Sequence, residues 1–232
     1  MSTAVAESPD VRASDGARPR NWLVFHAVFA VVAAAGLLLP VGALGSRVLI
    51  LVIAYSVGIA VMAVRTHDRV LWSMWATLAP MSLLMIFPDW FLSAVLDTIE
   101  FPDTGSPFIG TMPIFMAFMW TVALLPVMLL GWWVESRHGA SAGISVAVVA
   151  GLALFTAAEY AAPLIPFWYP ENVVTVAGVA LYVLLPEAVL TAATYLLVRG
   201  ALFRPVWATM CGVVGIPFMY LGMLSTGYQF IG

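Results

Sequence analysis

Two glutamates lie inside long apolar runs, where carboxyl groups are rare. Glu159 lies in LFTAAEYAAPLIP, about one turn from the end of its run, and Glu187 lies in YVLLPEAVLTAATY, near the middle of the next run. A charge in such a run costs several kcal/mol in lipid, so intramembrane acids usually face a bundle interior or a wet cavity. There they can donate or accept protons. Both residues are therefore catalytic candidates, with a buried hydrogen bond between helices as the alternative.

The surroundings of Glu187 favour an irregular helix. Thr191 and Thr194 share its helical face. Pro186, immediately before it, removes a backbone hydrogen-bond donor, which favours a kink. Counted along the predicted helices at 1.5 Å per residue, Glu159 and Glu187 lie roughly 15 Å apart in depth. This separation is too large for a hydrolytic pair, but it suits a long substrate that is protonated at one end and deprotonated at the other.

The segment PDWFLSAVLDTIEF, residues 88–101, carries three further acids. Wound as a helix, it places Asp89 and Glu100 about 20° apart and Asp97 about 80° from Asp89, with apolar residues on the far side. We therefore expect an extra amphipathic helix at the membrane interface between the third and fourth spans. Its acids either lie in water or face a cavity beneath a lid. Asp89, Asp97 and Glu100 are thus candidates for a second acid or base.

Aromatic rings near these acids could line an apolar pocket or stabilise a cation through their faces. At helical spacing, such rings are also common in cores and at headgroup level. The candidates for a substrate pocket are Trp90, Trp120, Tyr160, Trp168 and Tyr220.

Several kinds of chemistry are excluded by residue types and motifs that the sequence lacks. It has no lysine, so it cannot hold retinal through a Schiff base. Its histidines, His26, His67 and His138, show no pairing typical of a diiron or zinc site. Cys211 is the only cysteine, and the sequence has neither an Asp-rich diphosphate motif nor a Gly-rich phosphate loop. We therefore predict neither a metal nor a cofactor.

The composition indicates the solvent that surrounds these residues. Hydrophobic residues make up 63% of the 232 residues and charged residues only 9%, whereas soluble domains carry roughly 25% charged residues. Such a chain cannot cover a water-facing surface and must lie largely in lipid. A net charge of −3 without a basic cluster argues against a nucleic acid partner. The oligomeric state stays open.

We predict a single transmembrane domain, residues 22–232, after a disordered cytoplasmic tail, residues 1–21. Its apolar runs each approach the ~20 residues that cross a bilayer as a helix. They cover residues 22–44, 47–66, 70–87, 111–134, 142–163, 172–198 and 206–229. Eight of the nine arginines fall on one side of these seven spans, and Arg47 alone falls on the other. The positive-inside rule then predicts an all-α, seven-helix bundle in the cell membrane, with the N-terminus in the cytoplasm and the C-terminus outside.

Two segments resemble known membrane enzymes. IEFPDTGSPFIGTMPIFMAFMW, from Ile99 to Trp120, is similar to the stretch with an acid, Thr-Gly, Pro and Trp in small membrane carotenoid hydratases and cyclases. LLPEAVL, from Leu184 to Leu190, resembles the Pro-x-Glu segment of heterodimeric lycopene cyclases, although only half of their acid pair is present, since Ala188 follows Glu187. The short seven-helix build also resembles the small membrane terpene cyclases of meroterpenoid pathways. The resemblance implies an acid that protonates an alkene or epoxide, aromatic walls that guide a carbocation, and quenching by deprotonation or water.

Three functions remain open from the sequence. The first is an enzyme that acts on an isoprenoid or related lipid by protonation-initiated cyclisation or hydration, with Glu187 as the first acid. The second is a proton-coupled carrier of a small solute, and the third is a non-catalytic membrane subunit or assembly factor. An enzyme should contain a closed, apolar, aromatic pocket reached by a buried carboxyl group. A carrier should instead show a polar path through the midplane, and a subunit should show neither.

Overall fold

The computed structural model describes residues 18–232. Within this range the chain is an α-helical bundle, and seven of its helical segments are long and apolar enough to cross a membrane. The predicted α-helical bundle with seven long apolar helices is therefore confirmed. The predicted disordered tail lies outside the described residues, except that residues 18–21 belong to the first helix.

The described part of the chain contains eight α-helices, a short 3-10 helix at Ala162–Leu164 and six two-residue strands. The helices are α1 Arg18–Leu38, α2 Leu44–Arg65, α3 Arg69–Leu84, α4 Ile86–Ala94, α5 Met116–His138, α6 Ala140–Ala161, α7 Leu181–Ala201 and α8 Val206–Ile231. The strands are β1 Ile99–Glu100, β2 Phe108–Ile109, β3 Met112–Pro113, β4 Tyr169–Pro170, β5 Thr175–Val176 and β6 Val179–Ala180. β1 pairs with β4, β2 with β3 and β5 with β6, all antiparallel.

The connections between helices collect at two ends of the bundle. What we call the loop end holds residues 39–43, 95–115 and 162–180. Two of these segments contact each other, since β1 pairs with β4. The first turn of α2 also contacts the loop end, where the Gly45 amide donates to the Thr104 carbonyl at 2.7 Å. What we call the turn end holds only residues 66–68, 139 and 202–205.

Arg47, which lies at the loop end, closes the first helix. Its Nη1 donates to the carbonyl groups of Gly36, Leu37 and Leu39 at the end of α1. The last carbonyl groups of a helix have no partner within it, and arginine side chains commonly satisfy them. Arg47 is the one arginine predicted to lie on the opposite side of the bundle from the other eight. Its hydrogen bonds to the end of α1 give a local structural reason for that position.

The helix predicted over residues 88–101 is not a separate interfacial element. α4 follows α3 after a break at Met85, and the two form one apolar segment, Arg69–Ala94. The break has a simple cause, because Pro88 has no amide hydrogen to donate to the Leu84 carbonyl. α4 is therefore the last part of the third long apolar segment.

The same helix also ends earlier than predicted. The Thr98 amide donates to the Leu92 carbonyl at 3.0 Å, and Asp97 adopts a left-handed conformation with φ 53°. Both features are typical of a helix C-terminus. Asp97 and Glu100 consequently leave the helical face that they were predicted to share with Asp89.

Two spans begin later than their apolar runs suggest. Residues 172–180 hold the β5–β6 hairpin, so the sixth span begins at Leu181. Ala177 and Gly178 have φ 52° and 83°, as in two-residue turns between antiparallel strands. The fourth span begins at Met116 rather than at residue 111, because β3 precedes it.

A close contact brings α6 and α7 together below the loop end. A Cβ atom at Gly151 would lie 2.6 Å from Oγ1 of Thr191, so this crossing requires glycine. From there the helices run towards the loop end, over eight residues to Glu159 and four to Glu187. At 1.5 Å per residue the two acids differ by about 6 Å along the helix axes. The predicted separation of roughly 15 Å is too large, because it treats residues 172–180 as helix.

A serine joins α3 to α5. Ser82 Oγ donates to the Ala117 carbonyl at 2.9 Å and accepts from the Thr121 amide at 3.2 Å. In a regular helix those two groups of α5 would bond to each other. The hydroxyl group therefore lies within the hydrogen-bond ladder of α5, next to Trp120, where such an insertion favours a bend.

Candidate functional site

A cavity of about 100 Å³ lies near the loop end of the bundle. Carboxyl groups from three helices line it: Asp89 of α4, Glu159 of α6 and Glu187 of α7. The rest of the wall is mainly apolar. Its aromatic side chains are Trp120, Phe155, Trp168, Tyr182 and Tyr220.

Asp89 is buried and bound to a tryptophan. The residue is 4% exposed, and its Oδ2 accepts a hydrogen bond of 2.9 Å from Nε1 of Trp120. The Trp120 ring lies edge-on to Tyr220, with ring centroids 5.7 Å apart, and its centroid is 5.6 Å from that of Phe155. Because an indole N–H can only donate, Asp89 acts as an acceptor in this contact.

Glu159 is held in a similar way by a residue of the loop end. Its Oε1 accepts a hydrogen bond of 3.0 Å from Nε1 of Trp168. Trp168 lies just before β4 and is buried, whereas Glu159 is half-buried. The contact therefore fixes the loop segment to the end of α6.

Glu187 differs from the other two acids. It is 4% exposed, and its Oε2 has no hydrogen-bond partner among the residues that the structure describes. Thr191 Oγ1 donates to the backbone carbonyl of Glu187 at 2.8 Å and not to its carboxyl group. A buried carboxyl oxygen without a partner is uncommon in proteins, and here it leaves a hydrogen-bonding position free at the cavity wall.

The loop end covers the cavity. Thr98, Ile99, Trp168 and Pro170 contribute to its wall from the segments that carry β1 and β4. Tyr182, at the start of α7, donates its hydroxyl to Thr98 Oγ1 at 2.9 Å. This bond ties the cover of the cavity to the helix that carries Glu187.

Six of the predicted site residues meet at the cavity, namely Asp89, Glu159, Glu187, Trp120, Trp168 and Tyr220. The structure does not place Trp90 and Tyr160 there, since they are 43% and 60% exposed. Trp90 follows Asp89 and Tyr160 follows Glu159. Successive helical residues point about 100° apart. When each acid points into the cavity, the ring of the following residue therefore points away from it.

Asp97 and Glu100 also lie away from the cavity, exposed on the loop end. Asn172 Nδ2 donates to the Asp97 carbonyl at 3.0 Å and to its Oδ2 at 3.3 Å. A hydrogen bond with Glu100 raises the pKa of Glu171, and the charge of Asp97 adds to this effect. These acids therefore form a cluster across the two loop segments and not a part of the cavity.

Sequence reasoning missed several residues of the wall. Phe155 lies four residues before Glu159, and Met116 lies four residues before Trp120, so helical spacing from the predicted residues could have identified both. Tyr182 gave no such signal, because its place depends on a contact with Thr98, 84 residues away along the chain.

The three carboxyl groups of the cavity are able to donate or accept protons beside a mainly apolar wall. Two carboxyl groups are bound by indole donors, and the third has a free oxygen in the same cavity. Among residues 18–232, no group of three or more His, Cys, Asp or Glu side chains is placed to hold a metal ion.

The fold and the site together define a helical bundle with a carboxyl-lined cavity at one end. The chain belongs to the family whose model is described as Domain of unknown function (DUF6989), which matches residues 86–231. The match contains the whole lining of the cavity, from Asp89 to Tyr220, and leaves out α1 to α3. No curated protein and no solved structure matches the chain.

Proposed function

We propose that this protein is a membrane-embedded enzyme that acts on an isoprenoid or related lipid, by protonation followed by cyclisation or hydration. The observation that carries the proposal is the unpartnered Oε2 of Glu187, buried in an apolar cavity with two further carboxyl groups. An apolar, aromatic wall suits an apolar substrate. Exclusion of water protects a reactive intermediate from early capture.

In the proposed reaction Glu187 is the general acid. Its carboxyl proton passes to an alkene carbon or an epoxide oxygen, which leaves a carbocation on the substrate. The ring faces of Trp120 and Tyr220 line the cavity, and aromatic faces attract positive charge. The walls thus favour the cation over the neutral substrate.

Asp89 and Glu159 are the proposed proton acceptors. In a cyclisation, one of them removes a proton from the carbon next to the cation, and a double bond forms. In a hydration, water adds to the cation and then gives its extra proton to the same carboxylate. Transfer of a proton back to Glu187 completes the cycle. The indole donors of Trp120 and Trp168 suit this role, since a hydrogen bond to a charged acceptor is stronger than one to a neutral acceptor.

Separate Glu187→Gln and Glu159→Gln variants test the proposal. Each is expressed in membranes beside the isoprenoid pathway of its host, and lipid extracts are compared by mass spectrometry. We expect a product of the wild type to vanish with Glu187→Gln and to fall with Glu159→Gln at equal protein levels. Glu100→Gln is the matched control, because Glu100 is exposed and outside the cavity. A product profile unchanged by Glu187→Gln would overturn the proposal.

We also propose that the protein lies in the cell membrane with its N-terminus in the cytoplasm and the loop end outside. Arginines at the turn end support this orientation through the positive-inside rule; they are Arg65, Arg69, Arg137, Arg199 and Arg204. In a Cys211→Ser background, single cysteines at Asp103 or His138 report on the two ends. A membrane-impermeant maleimide should label only Asp103→Cys in intact cells, and the reverse pattern would contradict the proposal.

A further inference from the structure

A second apolar feature lies beside the cavity. It is a groove of about 610 Å³ between α7 and α8, near the loop end. Leu185, Met219, Met223 and Phe230 contribute apolar side chains to it. Leu185 and Phe230 are 68% and 82% exposed, so the groove opens to the outer surface of the bundle.

Tyr182 lines both the cavity and the groove, and α7 lies between the two. Val183 and Glu187 line the cavity, whereas Leu185 and Pro186 line the groove. The Tyr182 hydroxyl bonds to Thr98 on the cavity side. One turn of helix and one phenol ring therefore separate a surface groove from the three carboxyl groups.

The backbone of α7 lacks a helical hydrogen bond where it separates the cavity from the groove. Pro186 has no amide hydrogen, so the carbonyl of Tyr182, four residues earlier, lacks its helical partner. A Cβ atom at Gly227 would lie 2.8 Å from that carbonyl oxygen, so glycine lets α8 pass directly against it. The first turn of α7 thus lacks one of the bonds that would hold Tyr182 in place.

The cavity is too small to contain a long lipid. Its volume of about 100 Å³ is below the ~300–1,000 Å³ of pockets that bury drug-sized ligands. The groove next to it offers about 610 Å³ more. A substrate whose reactive end reaches Glu187 must extend beyond the cavity, and the groove is the adjoining apolar space.

We propose that the groove binds the hydrocarbon chain of the same lipid molecule whose reactive end occupies the cavity, and that this chain passes Tyr182. The ligand is a single-chain, unsaturated isoprenoid lipid that enters sideways from the bilayer. The identity of the reactive end rests on the proposed function, whereas binding of the chain requires no chemistry.

Two glycines of α8 supply a matched pair of variants. A Cβ atom at Gly222 or at Gly215 would meet no atom within 4 Å. Only Gly222 lines the groove, and Gly215 lies two turns away on the same helical face. Gly222→Phe therefore fills the groove, while Gly215→Phe adds the same ring elsewhere on α8.

The probe is a farnesyl ether that carries a diazirine at its hydroxyl end, added to the purified full-length protein in lipid nanodiscs. In the wild type, photolabelling should reach α7 and α8 around Leu185 and Met223, and excess farnesol should compete with it. With Gly222→Phe we expect this competable labelling to fall by about tenfold or more, the effect that one misplaced methylene group has in an apolar pocket. Gly215→Phe should leave it unchanged.

Equal labelling of the two glycine variants would overturn this inference, as would labelling of the wild type that farnesol does not reduce. Glu187→Gln separates this failure from a failure of the proposed function. It should abolish the product and keep the competable labelling. If Glu187→Gln keeps the product and the groove is labelled, only the proposed function is contradicted. If Glu187→Gln loses the product and the groove is not labelled, only the binding of the hydrocarbon chain in the groove is contradicted.

Discussion

The indole nitrogen of Trp120 donates a hydrogen bond of 2.9 Å to Oδ2 of Asp89. The bond joins α5 to α4 inside the bundle, where both residues are buried. It also places the Trp120 ring against Phe155 and Tyr220, so that one contact orients a carboxyl group and part of the aromatic wall. Stability and site geometry are therefore linked at this pair.

Trp120→Phe should destabilise the protein. It leaves the buried Asp89 without its donor, a change that costs about 1–3 kcal/mol, and thermal unfolding in detergent would measure it. Asp89→Asn should cost less, because the amide oxygen still accepts the indole hydrogen bond. Trp90→Phe, at an exposed ring, is the control for loss of an indole. Equal melting temperatures for Trp120→Phe and Trp90→Phe would contradict the assigned role.

Trp168→Phe should affect the proposed reaction more than the fold. Its ring belongs to the loop end, and its indole holds Glu159 at 3.0 Å. A hydrogen bond to a charged group contributes about 1.5–3 kcal/mol, so product formation should fall about tenfold or more if that bond aids proton acceptance. The measurement is the initial rate in membranes at matched protein levels. A wild-type rate would remove Trp168 from the mechanism.

Gly151→Ala should separate α6 from α7. The new methyl group would meet Thr191 at 2.6 Å, and such overpacking costs about 1–3 kcal/mol. Thr191→Ala in the same chain should recover part of the loss, which a double-mutant cycle of unfolding free energies would quantify. Gly215→Ala, with open space around its Cβ, should cost nothing measurable. Strict additivity of the two changes would contradict the contact.

The acidic cluster at the loop end should make stability depend on pH. The hydrogen bond to Glu100 raises the pKa of Glu171 above 4.5, so the folded protein binds this proton more tightly than the unfolded chain does. The contribution is present at low pH and is lost as the pH rises through the folded pKa. Melting temperatures should therefore fall between acidic and neutral pH in the wild type and less so in Glu171→Gln. Asp103→Asn is the control, since an asparagine can still accept from the Gly105 amide, and it should follow the wild type.

The seven long apolar helices and the three cavity acids could be predicted from the sequence, with Asp89 as a candidate for a second acid or base. Lipid leaves little choice for apolar runs or for a carboxyl group within them, and Glu159 and Glu187 do face the same interior space. Helical periodicity was misleading for residues 88–101. It grouped Asp97 and Glu100 with Asp89, whereas the left-handed Asp97 ends the helix first. Hydropathy likewise does not distinguish the β5–β6 hairpin from the helix that follows it.

The Ser82 hydroxyl lies between the Ala117 carbonyl and the Thr121 amide. This contact marks the point at which a side chain of α3 contacts the hydrogen-bond ladder of α5, between Ala117 and Thr121, and such an insertion favours a bend there. A displacement of this segment would move Trp120 and, through its indole hydrogen bond, the carboxyl group of Asp89.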